Sequence, residues 1–272
     1  MPDRTDLVYL CEESLDGTLC CVYESYTRQE VPFGILPEGT PTLYPSRPVV
    51  SDEAHAARVW RSLLKLDPEA AAWVRDGWCS CLEGREYRAY RFIRALYAHG
   101  PRIMGNLADP DVGEFFKLVR FQRNEAHLMK EFLRFADYGG ALVSVIEPKA
   151  LILESLAPHF TGRFPEEQFM IFDKTHGFAL FYRPYEWVVR PVSELALPVA
   201  DAQERNFRAL WRRYYDRIGI EGRYNPKCRM THMYKRFWKN MLEMDRETGV
   251  LRADGRAAAR ARLAARAGPG GL

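Results

Sequence analysis

Residues 141–183 read ALVSVIEPKALILESLAPHFTGRFPEEQFMIFDKTHGFALFYR, and the fold class turns on this stretch. ALVSVIEP alternates small and β-branched apolar residues over strand length, so it predicts a strand. FMIFD and GFALFYR flank Lys174-Thr175-His176-Gly177, a turn-forming tetrapeptide, and predict an antiparallel hairpin. EWVVRPV, residues 186–192, predicts a further strand on that hairpin.

Outward from this sheet the pattern is helical. DGTLCCVYESYTR predicts a short helix capped by Asp16, followed by the Pro/Gly-rich connector VPFGILPEGTPTLYP. Ser51 reads as the cap of DEAHAARVWRSLLKL, and Asp67-Pro68 opens another helix with proline where its missing N–H costs nothing. Helices are also predicted over 85–98, 112–136, 202–218 and 230–244. The class is therefore α+β: a helical N-terminal part, a small antiparallel sheet of three or four strands, and C-terminal helices. No βαβ alternation is read.

Charge divides the chain further. Residues 1–84 carry 7 basic and 14 acidic side chains, 85–134 carry 10 and 6, 135–202 carry 5 and 9, and 203–244 carry 11 and 4. The whole formal net charge of +3 sits in residues 245–272. This suggests an acidic region over 1–84, a basic and aromatic module over 85–244, and an Ala/Arg-rich tail over 245–272 whose composition predicts disorder. With 47% hydrophobic residues the body can bury a sizeable core. Charged residues interrupt every apolar run before membrane-spanning length, and the N-terminus lacks signal-peptide patterning, so a cytoplasmic location with no membrane contact is expected. The adjacent Cys20 and Cys21 and the one-residue gap between Cys79 and Cys81 fit no common zinc or redox spacing. No metal and no cofactor are expected, and buried reduced thiols are the simplest reading.

The helix LVRFQRNEAHLMKEFLRF, residues 118–135, sorts its side chains most clearly. At about 100° per residue, Leu118, Phe121, Leu128, Phe132 and Phe135 share one arc, while Arg120, Arg123, His127, Lys130 and Arg134 line the opposite side. Such a row suits a phosphate backbone, which presents repeated charge with little geometric demand. A solvated polar face would look the same. In ERNFRALWRRYYDRI, residues 204–218, Phe207, Leu210, Trp211, Tyr214 and Ile218 form the apolar face and Arg205, Arg208 and Arg212 a flank. In RMTHMYKRFWKNMLEM, residues 229–244, Met230, Met233, Phe237 and Met241 oppose His232, Lys235, Arg236 and Lys239. Tyr215, Tyr224 and Trp238 fall off the main apolar arcs or in the connecting loop, which makes them the candidates for stacking on bases.

Signals for catalysis are weaker. Glu147, Asp173, His176 and His159 stand beside predicted strands, where a rigid sheet can orient acid/base groups. Asp173 ahead of a turn reads most simply as a residue bonding the backbone that follows. No metalloprotease, phosphate-loop or nucleophile-elbow motif is present in the sequence, and Cys79 or Cys81 as a nucleophile has less support still.

LVRFQRNEAHLMKEFLRF, SVIEPKALILESLAPHFTGRFPEEQFMIFDKTHGFALF, LWRRYYDRI and NPKCRMTHMYKRFWKNMLEM together resemble an uncharacterised bacterial family labelled as probable DNA metabolism or putative DNA repair proteins. The resemblance runs over about residues 85–244, and SLDGTLCCVYESY resembles the front end of the family's longer form. Similar modules occur fused to uracil-DNA glycosylase-like domains, and the longer form accompanies a radical S-adenosylmethionine (SAM) protein. The resemblance therefore implies a DNA transaction with a radical SAM protein as partner, and carries over no catalytic residue. One local departure is Thr231-His232-Met233-Tyr234, where relatives more often show a Met-Pro pair.

The leading expectation is a DNA-binding accessory protein that holds single-stranded or damaged duplex DNA while a partner does the chemistry. An enzyme acting on modified nucleotides through Glu147, Asp173 or His176 is the alternative, and an interaction subunit of a radical SAM enzyme is a second one.

Overall fold

DRTDLVYLC (β1, Asp3–Cys11) is the central strand of a three-stranded sheet, flanked by VPFGILP (β2, Val31–Pro37) and SRPV (β3, Ser46–Val49). Both neighbours pair with it in parallel. Leu7, Val8, Tyr9 and Cys11 are buried, which is why this run takes the central place. The prolines Pro32, Pro37 and Pro48 fall on the two edge strands, where a missing N–H leaves no second neighbour unserved. The front end is thus not helix and connector alone: the Pro-rich stretch is two edge strands. Helix α1 (Leu15–Arg28) crosses from β1 to β2, capped by Ser14, whose hydroxyl accepts from the Gly17 N–H at 2.9 Å, rather than by Asp16.

These elements belong to the first of two compact units, one ending at Asn124 and the other beginning at Glu125. The computed structural model describes residues 3–218, 225–241 and 251–252. In the first unit α2 (Glu53–Leu66), α3 (Pro68–Trp78) and α4 (Arg85–His99) follow the sheet. Asp52, not Ser51, caps α2, and Asp67 caps α3 with Pro68 behind it. Their core is aromatic: Phe92 stacks on Phe115 with ring centroids 4.6 Å apart, and Trp78 and Tyr90 are fully buried. Gly77 makes this contact possible, since a Cβ there would meet Phe115 Cζ at 2.5 Å.

Helix α5 (Pro110–Phe132) contributes its residues up to Asn124 to the first unit and the remainder to the second. Its buried positions are Val112, Phe115, Leu118, Val119, Gln122, Glu125, Ala126 and Met129. Phe121, Leu128 and Phe132 are only half-buried, so the core-facing stripe is rotated from the predicted arc. Phe135 lies beyond the helix end and meets Phe160, Phe164 and Phe169, each at 5.5 Å.

The second unit is built on a five-stranded sheet: β4 (Ala136–Asp137), β5 (Ala141–Ile146), β6 (Gln168–Asp173), β7 (Phe178–Arg183) and β8 (Glu186–Pro191), in that order. The hairpin β6–β7 and the added strand β8 stand where the sequence places them. β5 and β6, however, run parallel, joined by α6 (Leu153–Arg163), a helix the sequence reading did not assign. The sheet is therefore mixed and larger than three or four antiparallel strands, and both units contain a β–α–β crossover.

A two-stranded ribbon pairs β9 (Glu194–Leu195) with β10 (Leu251–Arg252). The C-terminal helices are α7 (Ala202–Arg217), α8 (Pro226–His232) and α9 (Lys235–Trp238). The helix expected over 230–244 is broken at Met233-Tyr234, where both residues are extended. Tyr224 lies outside the described residues, as does the tail apart from β10.

Candidate functional site

Helix α7 attaches to its unit by a polar edge. Glu204, 6% exposed, accepts from the Asp137 N–H at 3.2 Å and from Arg208 Nε at 2.7 Å, and Arg208 also reaches the Tyr138 hydroxyl at 3.5 Å. The apolar stripe points elsewhere. Phe207, Leu210, Tyr214 and Ile218 are 55–58% exposed and Trp211 39%. This reverses the expectation that these side chains form a core face: the polar edge of the amphipathic helix carries the contacts. At about 100° per residue, Arg213 and Arg217 flank the exposed stripe on one side and Arg208 and Arg212 on the other. Arg212, Arg213 and Arg217 are exposed. The exposure of these particular rings departs from the expectation, because the stripe has the spacing of an ordinary buried face.

The three residues singled out for stacking fare differently. Trp238 Nε1 donates to the Met233 carbonyl at 3.1 Å and its ring lies under Arg229 at 5.1 Å, so it serves the α8–α9 junction. Tyr215 is half-buried beside the polar edge of α7.

The predicted cations divide into engaged and unengaged groups. Arg123 Nε donates to Asp76 Oδ2 at 2.8 Å and its terminal nitrogens to Glu69 at 3.2 Å. Burial disfavours the Arg123 charge, but these carboxylates outweigh it and raise its pKa. His127 faces Glu131 at 3.2 Å, and Arg134 donates to the carbonyls of Glu131 and Leu133 at the end of α5. Arg205 donates to the Ala200 carbonyl. Arg236 grips Glu125, 3% exposed, through two bonds of 2.6 and 2.5 Å, while the Lys149 N–H supplies a third at 3.0 Å. Lys239 pairs with Glu147. Among the described residues, Arg120, Lys130 and Lys235 have no such partner. The long row on α5 is thus largely matched by carboxylates and carbonyls.

Glu147, Asp173 and His176 come to one end of the sheet. Asp173 ends β6 and pairs in register with Ile146, so Glu147 follows at the carboxyl ends of the two parallel strands, the usual ligand side of such a pair. Asp173 is 1% exposed and ties the β6–β7 turn: Oδ1 accepts from the His176 backbone N–H at 3.1 Å, and Oδ2 from the imidazole Nδ1 at 2.6 Å. Gly177, at φ 73°, takes the left-handed conformation that closes the turn. Burial raises the Asp173 pKa, opposed by its bonds to His176. Glu147 is held by Lys239 and by Lys174 at 3.8 Å. The cavity beside it measures about 10 Å³, room for one water, and is walled by Met129, Phe132, Arg236 and Phe237. Asp173 and His176 do not line it. His159 is exposed on α6; burial, Lys130 and Arg163 lower its pKa.

Cys11, Cys20 and Cys21 are buried, Cys79 is half-buried, and Cys81 and Cys228 are exposed, and none of the six is in a disulfide. Among the described residues no group of three or more His, Cys, Asp or Glu could hold a metal, and no helix is long and apolar enough to cross a membrane.

A family model for DUF4130, a domain of unknown function, matches residues 83–243. The chain belongs to the DUF4130 family. The DUF4130 match takes in the Asp173–His176 turn, the Arg236–Glu125 pair and α7, whereas the parallel sheet of the first unit precedes it. No curated protein matches the chain. Among solved structures it is similar to a pGpG-specific phosphodiesterase, PggH, of Vibrio cholerae, at 11% identity over 78% of this chain and 89% of that one, with a TM-score of 0.30. A likeness at that level carries no argument about the DUF4130 fold or its chemistry.

Proposed function

We propose that this protein binds nucleic acid through α7 and serves as an accessory to a partner enzyme in DNA metabolism or repair. The observation that carries the reading is the exposed stripe of Phe207, Trp211 and Tyr214 with arginines on both flanks. Bases stack on rings, cations hold phosphates, and the combination suits single-stranded or unpaired DNA better than an intact duplex. The unengaged Lys130 and Lys235 would add attraction without geometry. A radical SAM protein is the partner that the family resemblance suggests.

Fluorescence anisotropy with single- and double-stranded DNA at several salt concentrations tests this. Binding should favour the single strand, with log K falling steeply against log salt. Arg213→Glu with Arg217→Glu should flatten that slope, and Trp211→Ala should weaken single-strand binding at every salt concentration. Weak binding that is indifferent to salt would overturn the proposal.

A second reading is an enzyme acting on modified nucleotides, favoured by the Asp173–His176 pair, in which a buried carboxyl group holds an imidazole at 2.6 Å. His176→Gln would abolish such an activity and leave DNA binding by α7 intact.

A further inference from the structure

The first unit holds a hollow of its own. Tyr23 and Tyr26 from α1, Arg58 and Ser62 from α2 and Tyr97 from α4 border an open concavity of about 310 Å³. That volume is at the lower end of the roughly 300–1,000 Å³ range of small-molecule sites. The buried Val22 and Val59 give it an apolar floor. The rings of Tyr26 and Tyr97 meet at 72° with centroids 5.7 Å apart, so they make a corner rather than a closed stack. Tyr26 stays 40% exposed, steadied by Arg94 over its ring at 5.1 Å. Tyr23 is occupied by His55, stacked on it at 3.8 Å. Arg58 is exposed, has no carboxylate partner among the described residues, and lies 5.9 Å from the Tyr23 ring. The neighbouring carboxylate Glu24 is taken by Arg28. The hollow thus combines a ring with free surface, a second ring at its edge and a guanidinium without a carboxylate.

We propose that this hollow binds a nucleotide, with the base against Tyr26, its edge toward Tyr97, and the phosphate on Arg58. A flat aromatic group and an anion are what these side chains leave unsatisfied together, and a nucleotide carries both. The same chemistry is offered by a free mononucleotide and by the phosphorylated end of a DNA strand. The site is independent of α7.

2-Aminopurine deoxyriboside 5′-monophosphate, whose fluorescence is quenched on stacking, is titrated into the full chain. The parallel arms use the nucleoside without phosphate and a short oligonucleotide carrying 2-aminopurine at its phosphorylated 5′ end. Saturable quenching by the monophosphate or the oligonucleotide is expected, and the tighter of the two identifies the source. Arg58→Ala should weaken the phosphorylated probes about tenfold or more and leave the nucleoside unchanged, since a charge-assisted bond is lost. Tyr26→Leu should weaken all three. Ser62→Trp, which fills the hollow and gives up the Ser62 bond to the Tyr97 hydroxyl but leaves Tyr26 and Arg58 in place, should abolish quenching, while circular dichroism shows an unchanged fold. Arg213→Glu with Arg217→Glu should have no effect on the monophosphate, so failure of the α7 reading would leave this result standing. The absence of saturable quenching with every probe, or quenching that survives both Arg58→Ala and Ser62→Trp, would overturn the proposal.

Discussion

Arg236 and Arg123 show how an arginine chosen from sequence for a ligand can be committed inside the molecule. Arg236 delivers its guanidinium to Glu125, which is 3% exposed, so removing it leaves a buried carboxylate without its cation. Arg236→Met should cost about 3–5 kcal/mol in denaturant unfolding, and Glu125→Leu with Arg236→Met should recover most of it. Equal losses in the single and double variants would contradict the pairing. Arg123 lies off the predicted apolar arc, a position where charge reversal by itself leaves a fold intact. Its bonds to Asp76 and Glu69 alter that outcome: Arg123→Glu gathers three carboxylates and should lower the midpoint of thermal unfolding. Helical spacing set Arg123 opposite the predicted apolar arc, but the buried stripe is rotated toward it and carboxylates from α3 stand there. His159 offers a pH test. Its folded pKa lies below the ordinary 6.5, through burial and then through Lys130 and Arg163, so the folded state takes up this proton later than the unfolded one. Stability tied to it is present above 6.5 and declines as pH falls through the lower folded value. Imidazole NMR titration should show that midpoint, and Lys130→Gln should move it upward.

At the scale of elements, the helices of the first unit and the β6–β7–β8 meander were legible because their signals are local: caps, a tight turn and apolar period. Asp67-Pro68 and Thr175-His176-Gly177 each fix an element end within a few residues. The parallel strands were not legible. β2 and β3 are rich in proline because they are edges, and an edge is a property of the assembled sheet rather than of the segment. α6 is hidden in the sequence because Pro158 stands inside it and its apolar face, Leu153, Leu156, Ala157 and Phe160, spans only about two turns. α7 was read with the right bounds and the wrong face, since an amphipathic period says which side is apolar and not which side is covered. Packing between α3 and α5 gives a direct test. Gly77→Ala would set a methyl carbon 2.5 Å from a ring carbon of the fully buried Phe115, and the strain should cost about 1–3 kcal/mol of stability.

For the whole molecule, the boundary at 124/125 redraws the charge map. Residues 1–124 hold 15 basic and 18 acidic side chains, and residues 125–244 hold 18 and 15. The excess of cations therefore coincides with the unit that carries α7. Elution from a heparin column should move to lower salt with Arg213→Glu and Arg217→Glu and should stay in place with Lys65→Glu and Arg102→Glu in the first unit. β1 adds a consequence in time. As the central strand it is made first, yet its parallel partners β2 and β3 are complete only once Val49 has been added. At the usual ~5–20 residues per second of synthesis, the Leu7–Cys11 stretch waits several seconds on the ribosome without its sheet. During that interval its apolar surface is open to chaperones or to neighbouring nascent chains. Slower translation while residues 12–49 are leaving the ribosome should therefore lower the yield of folded protein more than the same slowing once they are out.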